Sequence, residues 1–453
     1  MDKNKMAANN HPQSWGRFPQ VRPERVVPVY WRDEIPDLAT FERPVLPYAY
    51  GRSYGDSCLN EDGITLDVSN LRHFLSFDEE QGLLCCEAGV TLAEVLDVIV
   101  PRGWFLPVTP GTKYVSIGGA IANDVHGKNH HKAGTFGCHV TRFELLRSDG
   151  QRLICSPTEN SEFFRATIGG LGLTGVILWA EFRLKRIHSP LIVMDRIRFS
   201  SLDEYRELAT ASDRDFEYTV SWVVCLGSKN EVGRGFFMRG NHDISTRRVV
   251  QRRRSRLPLT VPFDFPSFTL NRLSIHAFNR LYYHAQSVKH VRKTVHYDSF
   301  FYPLDAIHHW NRMYGKRGFF QYQFVVPFEG GYEVMQAIMN CISRSGEGSF
   351  LTVLKSFGDV ESPGMLSFPR PGLTLALDFA NHGTKTLRLL DRLDAMVREA
   401  GGCIYPAKDA RMRADDFQRA YPQWKTFEQY IDPKFSSSFW RRVTRENGWE
   451  RSI

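Results

Sequence analysis

The segment PGTKYVSIGGAIANDVHGKNHH, residues 110–131, decides how this chain is read. Pro110, Gly111 and Thr112 precede the run Ser116-Ile117-Gly118-Gly119-Ala120-Ile121-Ala122, whose small side chains let the backbone come close to a flat ligand. Asn123, Asp124, Val125, His126, Gly127, Lys128, His130 and His131 then gather polar and titratable groups beside that run. His126 and His130 stand four apart, the spacing of a metal pair on a helix. Gly127, the preceding Gly-Gly and the lack of a nearby third ligand motif argue against that, so no metal is expected. His and Lys next to a cofactor are better suited to polarising a hydroxyl or stabilising a reduced, anionic ring.

Two more glycine-rich stretches flank this one. Gly51-Arg52-Ser53-Tyr54-Gly55-Asp56-Ser57 follows a strand, and glycines there turn the backbone tightly and aim several N–H groups at one anion, typically a pyrophosphate. It is neither a Walker A loop nor a GxGxxG fingerprint. Gly169-Gly170-Leu171-Gly172-Leu173-Thr174-Gly175-Val176-Ile177 packs glycines too densely for ordinary secondary structure without a compensating contact. Together the three stretches point to one extended nucleotide cofactor.

Around them the periodicity reads as alternating strands and amphipathic helices. Strands are expected at 45–50, 64–68 and 83–88, and Thr91 with Glu94 forms a capping box opening a helix that buries Leu92, Val95, Leu96 and Ile99. Later strands fall at 319–326 and 373–379, and helices at 333–343 and 386–400, the last stopped by Gly401-Gly402. The outcome is an α+β architecture of two domains. The boundaries are a polar N-terminal segment at 1–40, a cofactor domain at 41–186, a substrate domain at 187–403 and a C-terminal segment at 404–453.

Across 453 residues, 42% are hydrophobic and 24% charged, an ordinary globular composition that excludes wholesale disorder. No run reaches the apolar length of a membrane span, and the N-terminus lacks the apolar block of a secretory signal, so a cytoplasmic protein is expected. Eight cysteines without a CxxC pair read as free thiols. The formal charge of +8 is unevenly placed. Residues 234–293 hold 13 Lys plus Arg against Asp243 and Asp264, a local +11, which leaves the remaining chain at −3. This basic arm attracts polyanions such as nucleic acid, anionic lipid headgroups or a phosphate-bearing substrate. Its densest part, 247–256, contains no aromatic residue, unlike the usual single-strand platforms, so nucleic acid is not the expected partner.

With these residues in view, the chain resembles the flavin domain of the vanillyl-alcohol-oxidase superfamily. More closely it resembles the decaprenylphosphoryl-β-D-ribose 2-oxidase family. The resemblance rests on GRSYGDS, residues 110–137, TIGGLGLTGVI, WNRMYG (310–315), FFQYQFVVP (319–327), FLTVLKSFG (350–358) and IYPAKDARM (404–412). It implies a vanillyl-alcohol-oxidase-type FAD domain, closed by the C-terminal segment, beside a substrate domain built on an antiparallel sheet. Carried over by motif, FAD is lined by Gly51, Arg52, Ser53, Tyr54, Gly55, Asp56, Ser57, Gly111, Ser116, Ile117, Gly118, Gly119, Asn123, Asp124, Val125, His126, Ile177 and Tyr405. The substrate pocket takes Tyr54, Lys128, Tyr314, Gln321, Gln323, Lys355, Ala376 and Lys408, with His126 and Lys408 as its catalytic polar centre.

The implied reaction oxidises the 2-hydroxyl of a polyprenyl-phosphate ribose to a ketone, the first half of an epimerisation to arabinose in cell-envelope glycan synthesis. A separate NAD(P)H-dependent ketoreductase completes it, and the anionic inner face of the plasma membrane is a candidate partner. An aldonolactone or alditol oxidase acting on a soluble sugar is the competing reading. In one respect the chain departs from the mycobacterial members, where a cysteine precedes the Asp-Phe pair: here that strand has Ala376, so nitroaromatic inhibitors have no thiol to modify. Relatives with covalent flavin often carry Gly-His-Ser in the first loop, whereas this chain has Gly51-Arg52-Ser53. FAD is therefore expected to be non-covalent, and acid precipitation should leave the yellow colour in the supernatant; a yellow pellet would refute this.

Overall fold

A computed structural model describes residues 11–228, 230–245, 259–266 and 268–444. The arginine-rich stretch 247–256 lies outside them.

The N-terminal half is built on two sheets. Arg25–Pro28, Ile64–Asp67 and Val45–Tyr48 form a parallel three-stranded sheet with Ile64–Asp67 in the centre. A five-stranded antiparallel sheet runs Phe74–Asp78, Leu83–Glu87, Val176–Arg183, Val140–Leu146, Arg152–Cys155. Helix Leu92–Ile99 begins as its capping box dictates: the Glu94 carboxylate accepts from Thr91 N at 2.8 Å, and Thr91 Oγ1 accepts from Glu94 N at 3.2 Å. Its Leu92, Val95, Leu96 and Ile99 are buried against Phe105, Ile117 and Phe182, each such side chain contributing about 1.5–3 kcal/mol.

The second half is an eight-stranded sheet in the order His290–His296, Leu191–Phe199, Gly235–His242, Tyr218–Val223, Thr352–Phe357, Gly372–Ala380, Phe319–Val326, Cys403–Ile404. All its pairings are antiparallel. Period-two alternation gives the two faces different chemistry. On one face Phe320, Tyr322, Phe324 and Val326 join Leu373, Leu375, Leu377 and Phe379 under helices Gly331–Ser345 and Thr384–Glu399, which supply Met335, Ile338, Leu389, Leu390, Leu393 and Val397. The other face carries Gln321, Gln323, Lys355, Ala376 and Trp222, and it looks toward the first half of the chain.

The terminal segments are woven into both halves. The residues before 41, set apart by the sequence as a polar segment, contribute the edge strand Arg25–Pro28, and Trp15 packs edge-on against Trp310 at 5.6 Å. Their pairing partners are remote in sequence, which explains why no local period announced them. The last segment returns to the first sheet, where Val45 bridges Phe435 and Asp432 pairs with Arg147.

Candidate active site

Between the polar sheet face and the glycine-rich loops lies a cavity of about 640 Å³, within the roughly 300–1,000 Å³ common for cofactor and small-molecule sites. One wall is the loop after strand Val45–Tyr48. Gly51 sits at φ +56°, and a Cβ there would lie 2.1 Å from the Gln13 carbonyl oxygen, so only glycine makes this turn. Gly51, Arg52 and Ser53 of this turn line the cavity, and among the described residues none of their N–H groups donates to a protein acceptor. The buried Ser57 hydroxyl beside them is also unpartnered. Successive free amides and an orphaned hydroxyl are what a pyrophosphate requires, so these residues fit FAD. The Arg52 guanidinium lies 4.3 Å from the Trp15 ring centroid, and its Nε donates to the Tyr114 carbonyl at 3.2 Å.

The opposite wall comes from helix Ile117–Ala122, whose N-cap Ser116 accepts from Gly119 N at 3.1 Å, and from the strip that follows it. Tyr405 closes this end: its hydroxyl donates to the Asn123 carbonyl at 2.8 Å, and its ring stacks on Phe368 at 4.6 Å.

His126 is held from both sides. The Gln323 carboxamide nitrogen is 3.0 Å from Nε2 and the Lys355 side-chain nitrogen is 3.3 Å from Nδ1. Burial, with the charges of Lys355, His130 and Lys408 added, keeps the His126 pKa well below the ordinary histidine range. Burial likewise pushes the Lys355 pKa down to about 7, an effect reinforced by Lys408. Lys128, whose side chain donates to the Phe300 carbonyl, is lowered to about 7 by burial and by Lys355. Lys408 is lowered to about 8 by burial, opposed by the charge of Asp378. Its Nζ sits 4.0 Å from the Tyr54 ring centroid. Asp378 is itself pushed up to about 7 by burial, and it accepts from Gln321 Nε2 at 2.7 Å. The cavity therefore has a floor of three desolvated amines, with one carboxyl group near Lys408 and, among the described residues, no carboxylate paired to the other two.

Of the residues singled out from sequence, the cavity is lined by Gly51, Arg52, Ser53, Tyr54, Ser57, Gly111, Ser116, Gly118, Gly119, Asn123, Val125, His126, Lys128, Ile177, Gln321, Gln323, Lys355, Ala376, Tyr405 and Lys408. Five others are not among the residues that line it. Asp56 turns away to Arg442, which donates to it at 2.6 and 3.0 Å and to Asp409 at 2.9 Å. Gly55 is pressed against Asp409, whose carbonyl oxygen would lie 1.7 Å from an added Cβ. Ile117 is fully buried in the core of the first half. The Asp124 carboxylate accepts from Gly137 N, Ser362 and Ser367, bracing the strip before His126 from behind. Tyr314 stacks on Phe319 at 4.1 Å in an apolar cluster.

Sequence reading missed Trp15, Trp222, Met238, Tyr282, Leu351 and Val353, which give the cavity an apolar arm. Trp222, Met238 and Val353 sit on strands, where the pairing Trp222↔Val353 puts both on one face, whereas Tyr282 comes from helix Arg272–His284 and Trp15 and Leu351 from irregular chain.

The Arg442 clamp joins the loop ending at Asp56 to the turn Pro406–Lys408, and Tyr54 N donates to the Ala407 carbonyl at 2.9 Å in the same seam. Removing a buried cation leaves two carboxylates uncompensated. Arg442→Met is expected to cost about 3–5 kcal/mol. A lowered urea midpoint of the holoprotein and faster flavin loss on gel filtration would register it; an unchanged midpoint would contradict the clamp.

The profile described as FAD binding domain matches residues 33–156. A decaprenylphosphoryl-β-D-ribose oxidase of Mycolicibacterium smegmatis is 36% identical over 414 residues, 88% of this chain and 89% of that protein. More partial matches include the human Δ(24)-sterol reductase, 33% identical over 25% of this chain and 22% of that protein. A Neurospora crassa protein carrying the name of a D-arabinono-1,4-lactone oxidase is 32% identical over 31% of this chain and 25% of that protein.

Proposed function

The chain belongs to the decaprenylphosphoryl-β-D-ribose oxidase family of FAD-binding oxidoreductases, and from that premise we propose that it oxidises the 2-hydroxyl of a polyprenyl-phosphate ribose to the 2-keto sugar. The observation that carries the substrate class is the set of half-buried, partly desolvated amines Lys128, Lys355 and Lys408 gathered on one cavity. Like charges crowded into a partly desolvated cavity favour a ligand that brings the opposite one. A phosphate ester does so, whereas a neutral aldonolactone or alditol does not. The apolar arm formed by Trp222, Leu351, Val353 and Tyr282 suits the first units of a lipid chain.

Bound FAD supplies the acceptor for the hydride leaving the carbinol carbon. The chain's own residues position the sugar and move its hydroxyl proton. The Lys408 amine, which makes no hydrogen bond within the described protein and has a pKa near the working range, takes that proton. The Tyr54 ring holds Lys408 from one side, and Asp378, fixed by Gln321, sets its charge. His126 has both ring nitrogens engaged and acts as a positioning residue, keeping Lys355 and Gln323 aimed into the cavity. Lys128 and Lys355 draw the phosphate. The 2-keto product then requires a separate ketoreductase to complete the epimerisation, and a cytoplasmic location at the membrane's inner face suits the lipid substrate. Among the described residues no helix is long and apolar enough to cross a membrane.

Anaerobic mixing of the holoprotein with polyprenyl-phosphate ribose should bleach the flavin absorbance. Bleaching by a free aldonolactone and not by the phospholipid sugar would reverse the assignment. Binding should also depend on pH. An anion favours the protonated amines and raises their pKa values, so binding takes up protons and weakens as pH rises through about 7 to 8. Titrating a 2-deoxy analogue against the oxidised flavin spectrum measures this directly. Lys355→Met should lower affinity about tenfold to a hundredfold and flatten the pH profile. A pH-independent affinity would remove the lysines from phosphate recognition.

A further inference from the structure

The outer face of the segment leading into helix Arg272–His284 has the wrong chemistry for water. Leu259, Phe263, Phe268, Leu273, Phe278 and Leu281 are among fourteen exposed large apolar side chains of the described residues, and the six fall within a single short stretch of chain. Leu273 and Leu281 are 79% and 74% exposed. The helix is amphipathic in the ordinary sense on its inner side, where Ile275, Asn279 and Tyr283 are buried at i, i+4, i+8. Leu273, Ala277 and Leu281 repeat the same spacing on the opposite side. Around this second stripe stand Arg272 and Arg280, and no acidic residue occurs between Asp264 and Asp298.

This face is continuous with the cavity. Phe278 stacks on Tyr282 at 5.8 Å, and Tyr282 lines the apolar arm. Leu259 pairs with Ile307, which lines the cavity too. One residue therefore faces outward while its neighbour faces the ligand space.

We propose that this face docks on an anionic phospholipid surface, so that a lipid-borne substrate passes from the bilayer into the apolar arm without crossing water. An exposed apolar stripe flanked by arginines, on a helix with no carboxylate of its own, matches an interfacial helix, whose apolar side enters the headgroup boundary while its cations meet lipid phosphates; the carboxylate that reaches this helix, Glu231, is engaged by His276 and Arg234. A second protein copy is the alternative cover, but two such faces would bring like charges together. The inference rests on the lipid-phosphate reading above, extending it from the cavity to the surface around it.

The test compares the holoprotein with the double variant Leu273→Glu/Leu281→Glu by co-sedimentation with phosphatidylglycerol vesicles and phosphatidylcholine vesicles. The wild-type chain should partition onto the anionic vesicles, and the variant should lose that partitioning about tenfold or more. Its bound flavin and its turnover of a short-chain, water-soluble phosphoryl ribose should remain unchanged, while turnover of vesicle-embedded substrate falls. Equal partitioning of both proteins overturns the proposal, as does light scattering that finds a wild-type dimer and a monomeric variant. Absence of turnover with every phosphoryl ribose, alongside a vesicle effect as expected, would sink the substrate reading and leave the docking face standing.

Discussion

Three half-buried amines gathered on one cavity set the constraint that the rest of the molecule answers. A desolvated lysine gives up protons easily and attracts any anion that reaches it, so its surroundings must be dry, rigid and open at one end. The eight-stranded sheet provides the first two properties. Its helix-covered face is sealed by leucine, phenylalanine and methionine. Its other face can then carry Lys355 and the two glutamines, because the backbone beneath them is fully paired in the ladder. The glycine-rich loops of the first half close the opposite side, where unpaired backbone amides complement the amines across the cavity.

Positioning depends on contacts between segments far apart in the chain. Lys408 is placed by a three-residue turn, and that turn is fastened to the first glycine loop through Tyr54 N, Ala407 O and the Asp56–Arg442–Asp409 clamp. The clamp explains why a carboxylate sits in a loop otherwise suited to a phosphate. Asp56 would repel a pyrophosphate if it faced the cavity; paired with Arg442 it reinforces the wall instead. Asp124 does the same for the strip carrying His126, with two serines and one amide satisfying its charge.

Much of this was legible in the residues. The capping box at Thr91 and Glu94, the strands at 319–326 and 373–379, and the helix stopped by Gly401 lie within a few residues of where they were expected, since each is set by local periodicity and end signals. The glycine loops could be recognised because φ > 0 and close backbone approach leave few alternatives to glycine. Gly55, Asp56, Ile117, Asp124 and Tyr314 do not line the cavity, for the opposite reason. Within a motif adjacent residues look equally eligible, and only their partners decide which way each one turns. Trp222 and Met238 on strands and Tyr282 on a helix carried no local signal of a binding role, as aromatic and apolar residues of either are ordinarily core.

The sequence by itself determined the two-domain α+β plan, the glycine-rich loops and the lysines available for chemistry, because glycine conformation, hydrophobic period and side-chain type are local properties. Tertiary structure decided which of those groups share a cavity and in what protonation state. Burial depth, counter-charge and the facing of a strand depend on neighbours hundreds of residues away. Lys408 is the clearest instance: in its own segment it is an ordinary lysine of a polar turn, and only enclosure by Tyr54 and distance from any carboxylate except Asp378 bring its pKa to about 8.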